Sequence, residues 1–110
     1  MQKLVNYHSN LEHGTVFRFP GSYPHEKYVD LILVEFPDSD RKFGLVVSTG
    51  HKAGLILIKL PKEAESNNFA GIDRQWVIDN WNKWIYETCN VDDVYVIQNY
   101  PIPVIDYSKP

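Results

Sequence analysis

The sequence contains one cysteine among its 110 residues, which excludes an internal disulfide framework and a cysteine-based zinc site. Long apolar runs are also missing, because no stretch approaches the ~18–20 residues of a membrane span. Residues 1–6 lack the apolar core of a secretory signal. A lone cysteine fits a reducing compartment, so we predict a cytoplasmic protein without membrane contact.

The chain also has no excess of positive charge, since its formal net charge is −3. Residues 1–62 hold eight Lys or Arg and six Asp or Glu, whereas residues 63–110 hold three and eight, so the two parts carry +2 and −5. An acidic half argues against nucleic-acid binding, which needs a basic footprint, and favours a basic protein partner. The alternative is an ordinary solvated surface, because sequence halves need not be spatial halves.

The sequence has few residue patterns that are typical of catalytic, metal-binding or phosphate-binding sites. The four histidines show no metal-binding spacing: His8, His13, His25 and His51. The segment Gly50–Gly54 has three residues between its glycines, not the four of a phosphate loop, and favours a hairpin turn with both glycines at positive φ. Nothing next to Cys89 would activate its thiol. We therefore expect no catalytic residue, no metal and no cofactor.

Three tryptophans within nine residues mark the principal helix of the chain, predicted within residues 72–86. An apolar stripe with helical spacing runs along it: Val77, Trp81, Trp84 and Ile85. Asp73 is positioned as the N-cap that accepts a backbone N–H of the first turn. We predict that this stripe packs into the core.

Strand patterns dominate the rest of the chain. The predicted strands are Leu4–Tyr7, Thr15–Phe19, Tyr28–Phe36, Phe43–Thr49, Leu55–Leu60 and Val94–Tyr100. We expect the first two to form a hairpin and the next three to form an antiparallel meander. The pattern predicts a single α+β domain over residues 1–110, with a mainly antiparallel sheet of about five or six strands and the Trp-rich helix on one face.

The second face of this sheet also needs a cover, because the central strands are too continuously apolar for a sheet that is wet on one side. The N-terminal hairpin and the tail Ile102–Tyr107 are the simplest candidates within the chain. A protein partner and a second copy of the chain are the alternatives.

Four segments together resemble a family of small bacterial immunity proteins, which are encoded beside polymorphic toxins, including those of contact-dependent growth inhibition. The segments are Phe43–Leu57, Leu60–Glu63, Asp79–Tyr86 and Val91–Ile97. The resemblance implies that the shared glycines are needed for turns and that the shared tryptophans pack in the core. It implies a non-catalytic protein that binds one toxin domain in the cytoplasm, in a one-to-one complex, and blocks its active site or an essential surface.

Many such toxins are nucleases with basic substrate clefts, so the acidic half of the chain supplies the predicted contacts. We predict that toxin binding involves Glu63, Glu65, Asp79, Glu87, Asp92 and Asp93. Two other functions remain open at this stage. One is a non-catalytic adaptor or structural subunit of a larger complex, and the other is a small enzyme acting through Cys89 or His51.

Overall fold

The computed structural model describes residues 1–21, 27–100 and 108, which form one antiparallel sheet and one helix. The strands are β1 (Gln2–Lys3), β2 (Val16–Pro20), β3 (Tyr28–Glu35), β4 (Phe43–Val47), β5 (Ile56–Lys59) and β6 (Tyr95–Ile97). They lie in the order β1-β6-β2-β3-β4-β5. Helix α1 (Arg74–Asn80) continues into a π-helical turn, Trp81–Ile85. Short 3₁₀ turns lie at Leu4–Asn6, Gly50–Lys52, Lys62–Ala64 and Val91–Asp93. This architecture confirms the predicted α+β class.

Strands β2 to β5 form a meander in which each strand pairs with the next one along the chain. Strand β3 is central, and its Leu31 and Leu33 are buried under the helix side of the sheet. A strand covered on most of its surface is expected to read as a nearly unbroken apolar run, as Tyr28–Glu35 does. The predicted three-strand meander is therefore confirmed and extends to four strands.

The predicted N-terminal hairpin is wrong, because β1 pairs with β6 and not with β2. Strand β6 inserts between them, with Arg18 of β2 opposite Tyr95. The predicted first strand is instead a 3₁₀ turn that buries Leu4, whose N–H donates to the carbonyl of Val94 at 2.8 Å. Burying Leu4 in the core fixes this segment more strongly than a local hairpin could.

Helix α1 begins at the predicted position, since the Asp73 carboxylate accepts the N–H of Trp76 at 2.9 Å. The α-helical hydrogen bonding ends early, at Asn80, whose side-chain amide donates to the carbonyl of Trp76 at 2.9 Å. A π-helical turn follows, which is wider than an α-helical one. In it the N–H of Tyr86 donates a hydrogen bond to the carbonyl of Trp81 at 2.9 Å. The predicted single helix is therefore an α-helix followed by a π turn.

Trp81 is the centre of the core, with 0% of its surface exposed. Its ring packs 6.0 Å from Phe17 and 5.3 Å from Phe19, which project from β2 toward the helix. The second contact is edge-on, a favoured geometry for aromatic pairs. Trp84 is only half-buried and lies beside Trp76 at 6.0 Å. The predicted core role is confirmed for Trp81 and holds in part for Trp84.

The second face of the sheet is partly buried. Val16 is fully buried there, and Ile32, its cross-strand partner, is half-buried. The N-terminal hairpin cannot be the cover, because it does not form. The other predicted cover, Ile102–Tyr107, lies outside the described residues. In the described part of the chain, no helix is long and apolar enough to cross a membrane.

Candidate functional site

The sheet ends in an unusually apolar strand. β5 pairs only with β4, and the residues at its start have exposed fractions of 59% for Leu55, 51% for Ile56 and 42% for Leu57. Folded proteins usually protect a sheet edge with very short strands, charges or covering elements. The opposite edge follows that rule, because β1 has only two residues, Gln2 and Lys3. The β5 edge is therefore the exception among the described strands.

A groove of about 180 Å³ opens beside this edge, on the same side of the sheet as the helix. Its floor and walls are mostly apolar, with Thr49, His51 and Lys52 supplying the polar side. The lining residues are Val29, Leu31, Val47, Thr49, His51, Lys52, Leu57 and Tyr86. A concave apolar surface with a few polar groups is the usual form of a binding site. We define the β5 edge, Leu55–Lys59, together with this groove as the edge surface.

Local irregularities in the β4–β5 connection create the edge surface. Gly50 and Gly54 have φ values of 69° and 93°, which confirms the predicted turn with two glycines at positive φ. Farther along, Leu45 pairs with Ile58 and the next residue of β4 pairs with Ile56, so Leu57 is an extra residue in the ladder. Such a bulge redirects side chains, and here Leu57 lines the groove.

The wall opposite β5 is formed by Tyr86 at the end of the π turn. Its ring lies 4.5 Å from Phe19 in the core. The Asn82 side-chain amide fixes the loop that follows, since it donates to the carbonyls of Tyr86 at 3.2 Å, Glu87 at 3.2 Å and Cys89 at 2.6 Å. These bonds give hydrogen-bond partners to three backbone carbonyls of the loop after the π turn. The groove wall is therefore fixed from both sides.

A buried ionic cluster lies on the second face. Asp30, with 1% of its surface exposed, accepts two hydrogen bonds from Arg18 at 2.7 and 2.8 Å and one from the Tyr100 hydroxyl at 2.8 Å. Tyr100 also bonds to Ser48. The Arg18 guanidinium lies 4.7 Å from the centroid of the Tyr28 ring. Carboxylate and guanidinium are thus paired in the bidentate manner that a buried carboxylate requires.

Electrostatics within this cluster stabilise the forms present at neutral pH. The hydrogen bonds to Asp30 raise the pKa of Arg18, and burial raises the pKa of the Tyr100 phenol. The arginine is therefore charged and the tyrosine is neutral. Each group already bonds to another member of the cluster, so the cluster is a structural tie across β2, β3 and Tyr100 and leaves no reactive group poised for chemistry.

Cys89 offers little as a nucleophile. It is buried, and its Sγ contacts the carbonyl of Asn90 at 3.3 Å. Burial raises the pKa of the thiol, with a further contribution from Asp93, so the unreactive protonated form dominates at neutral pH. In the described part of the chain, no group of three or more His, Cys, Asp or Glu side chains is placed to hold a metal ion.

We expect Cys89→Ser to leave the biological activity unchanged, because burial raises the pKa of the thiol and disfavours the nucleophilic thiolate. A cost of about 1–2 kcal/mol in unfolding free energy is expected from placing a hydroxyl in a mostly apolar position. Denaturant unfolding gives the stability, and the activity assay is run on the same protein with His51→Ala in parallel. Loss of activity in Cys89→Ser at unchanged stability would revive the Cys/His enzyme hypothesis, whereas loss in His51→Ala alone would not, because His51 also lines the groove.

A family model described as Immunity protein 45 matches residues 4–96. The chain belongs to this family. The match spans β2 to β5, α1 and most of β6, so it includes the buried core of the described residues and the edge surface. It confirms the resemblance to immunity proteins of polymorphic toxin systems. No curated protein and no solved structure shows a significant match.

Membership in the Immunity protein 45 family implies a cognate toxin as partner and a role without catalysis. The structure distributes the six predicted contact residues over several elements. Most of them are exposed, and Glu65 is half-buried. Glu63 and Glu65 lie in or just after the 3₁₀ turn before α1, and Asp79 lies on α1, where it accepts the Gln75 amide at 2.9 Å.

The remaining three acids follow the π turn within one short stretch of chain. Glu87 directly follows Tyr86 and is exposed. Asp92 and Asp93 belong to the 3₁₀ turn before β6. Their contact with a toxin of this immunity family stays a prediction.

Sequence reasoning missed both the edge surface and the ionic cluster. One pattern could have revealed the cluster. Arg18 is the one charge in β2, Asp30 is the one charge within the apolar run Val29–Val34 of β3, and the two are direct cross-strand partners. The edge surface had a weaker signal. The run Leu55–Ile58 fits a covered strand equally well, and only the strand order shows that it lies at an edge.

Proposed function

We propose that this immunity protein neutralises a cognate toxin domain by binding it one-to-one in the cytoplasm and covering its active site. Family membership over residues 4–96 is the observation that carries the proposal. The exposed carboxylates support it, because they complement a toxin with a basic substrate cleft, as nucleases have. We accordingly propose a nuclease as the target.

Protection of a cell requires tight binding. A nanomolar dissociation constant corresponds to about −12 kcal/mol, and stable complexes of this kind bury about 1,600 Å² in total. A few well-packed anchors supply most of such an affinity, while charges at the rim mainly accelerate association. The structure offers both kinds of feature, in the apolar edge surface and in the dispersed carboxylates.

The direct test is co-expression with the toxin domain encoded beside the gene for this chain. We expect growth to be restored, and we expect the purified toxin to lose its activity at a molar ratio of one. Titration followed by light scattering gives the stoichiometry. Full toxin turnover in excess immunity protein would contradict the proposal. Equal protection against unrelated toxins would indicate a general adaptor and not a cognate inhibitor.

We expect reversal of three acids, Glu87→Lys, Asp92→Lys and Asp93→Lys, to slow association with the toxin about tenfold or more at low salt. Rim charges act through long-range attraction, so the effect should fade as the Debye length falls from ~10 Å at 0.1 M salt to ~3 Å at 1 M. Exposed turn residues contribute little to stability, and the fold should persist. Stopped-flow binding across an ionic-strength series measures this, with Glu12→Lys as the single-charge control. An association rate insensitive to both salt and reversal would remove the acids from the interface.

A further inference from the structure

The backbone of β5 has hydrogen-bonding groups that point away from the sheet. The carbonyl of Leu55 accepts the N–H of Val47 at 2.9 Å, so Leu55 faces β4. In an antiparallel ladder, successive residues of a strand face opposite sides. The N–H and carbonyl of Ile56 therefore face the open edge. Lys59 faces the same way, and its carbonyl already accepts Arg41 at 3.2 Å. The unprotected part of the edge is thus centred on Ile56.

The side chains at this edge define what could pair with it. Leu55, Ile56 and Leu57 expose apolar surface in one continuous run. The adjoining groove of about 180 Å³ is large enough for one sizeable apolar side chain, since a cavity of about 150 Å³ holds a benzene ring. An extended segment lying along β5 would place alternate side chains on the groove side of the sheet. Such a segment needs at least one apolar residue for that position.

Charge narrows the choice of partner further. Residues 49–62 include three lysines and no carboxylate. Lys52 lines the groove at one end of the apolar run, while Lys59 and Arg41 lie together at the other end. A segment with carboxylates on either side of its apolar residue would complement both ends.

The same charges disfavour a second copy of this chain. Antiparallel pairing of two β5 strands would bring the Lys52 end of one copy next to the Lys59 and Arg41 end of the other. Like charges placed opposite each other across strands are destabilising. The edge is therefore better matched to an acidic and apolar strand of another protein.

We propose that an extended segment of the toxin domain, with an apolar side chain flanked by carboxylates, pairs with β5 as a seventh strand of the sheet. Its apolar side chain occupies the groove between Leu57 and Tyr86, and Ile56 exchanges backbone hydrogen bonds with it. This inference rests on the proposed function, since it names the surface through which the toxin is held. Main-chain pairing supplies affinity, and the groove and the lysines supply specificity.

Amide hydrogen exchange tests the pairing directly. The Ile56 N–H faces solvent in the free protein, so we expect fast exchange there and strong protection in the complex with the toxin domain encoded beside this gene. The N–H of Lys3, on the opposite edge strand, is the internal control and should change little. A complex that forms without protecting Ile56 would overturn this inference and leave the proposed function intact. If no complex forms, the proposed function and this inference both fail.

Substitutions supply the second test. Ile56→Pro removes the outward N–H and is expected to weaken toxin binding at least about tenfold, whereas Ile56→Val keeps the N–H and should stay within about twofold. Lys52→Glu should also weaken binding about tenfold, and Lys3→Glu, the same charge change at the opposite edge, should not. Equal binding by Ile56→Pro and Ile56→Val at equal melting temperatures would contradict strand pairing. If Ile56→Pro lowers the melting temperature, strand pairing is judged from the comparison of Lys52→Glu with Lys3→Glu and from the exchange of the Ile56 amide.

Analytical ultracentrifugation tests whether a second copy of this chain, and not the toxin, pairs with β5. We expect the free protein to remain monomeric at micromolar concentration, with Ile56 unprotected. A dimer that Ile56→Pro converts to monomer, and whose Ile56 amide is protected without toxin, would assign the edge to a second copy and overturn the proposal.

Discussion

Trp81→Ala is expected to lower the free energy of unfolding by about 3–5 kcal/mol, the range for removing a large aromatic side chain from a core. Trp81 is completely buried and packs against Phe17 and Phe19. Water can enter the cavity left by its side chain only if the helix moves away from the sheet. A domain of this size has about 5–15 kcal/mol in total. The variant should therefore unfold at a much lower denaturant concentration.

Trp84→Ala is the matched control, because Trp84 belongs to the same stripe but is half-buried. We expect it to cost about 1–2 kcal/mol, in proportion to the smaller apolar area that it removes from water. Urea unfolding followed by circular dichroism measures both. Equal costs would contradict the packing described for Trp81. An unchanged melting temperature with lost toxin binding would identify either tryptophan as an exposed binding residue.

Arg18→Ala is expected to destabilise the protein by about 3 kcal/mol, since it leaves the buried Asp30 carboxylate without its cation. The arginine side chain is 31% exposed and that of Asp30 only 2%, so the cost comes mainly from the carboxylate that stays behind. Arg41→Ala, at an exposed arginine, is the control and should cost less than about 1 kcal/mol.

A double-mutant cycle separates this explanation from a simple loss of packing. Asp30→Asn in the Arg18→Ala background removes the uncompensated charge and should recover part of the lost stability. The two changes should therefore be strongly non-additive. Additive costs would show that the pair contributes by packing alone, and that the charge of Asp30 is satisfied by Tyr100 and the surrounding backbone.

The sequence predicted those parts of the fold that local patterns determine. The central strand Tyr28–Glu35, the meander and the Asp73 cap each depend on residues that are neighbours in the chain. The buried stripe through Trp81 was likewise confirmed, because helical spacing by itself places its residues on one face.

Features that depend on distant residues were not predicted. A hairpin between the first two strands satisfies local rules, and only the arrival of β6 in the sheet displaces it. The change from α-helix to π turn depends on one side-chain amide, that of Asn80, competing for a backbone carbonyl. Neither outcome is visible in hydrophobic periodicity.

The candidate site also combines features that local sequence predicts with features that depend on distant residues. The glycine turn before β5 was predicted from Gly50 and Gly54, whose positive φ values it requires. That this turn leads into an exposed edge depends on the order of all six strands. The six acidic residues were chosen from the charge of a sequence half, and the fold distributes them over several elements. Charge along the sequence therefore does not locate a contact surface, whereas the exposed apolar edge is visible only in the structure.

The order of the strands also orders the steps of folding. We expect Val96→Ala in β6 to speed unfolding more than it slows folding, whereas Leu33→Ala in the central meander should mainly slow folding. The reason is that β3 makes contacts between sequence neighbours, while β6 must close a loop of most of the chain length. Stopped-flow chevron plots give both rates. A larger effect of Val96→Ala on the folding rate would contradict this order.

The insertion of β6 between β1 and β2 thus has a consequence during synthesis. Arg18 is translated about 75 residues before its partner Tyr95, and at about 5–20 residues per second that interval is about 4–15 s. Until β6 arrives, the edge of β2 that faces away from β3 stays unpaired on the growing chain, and β1 has no strand to join. The sheet is therefore complete only after the last of the described strands has left the ribosome.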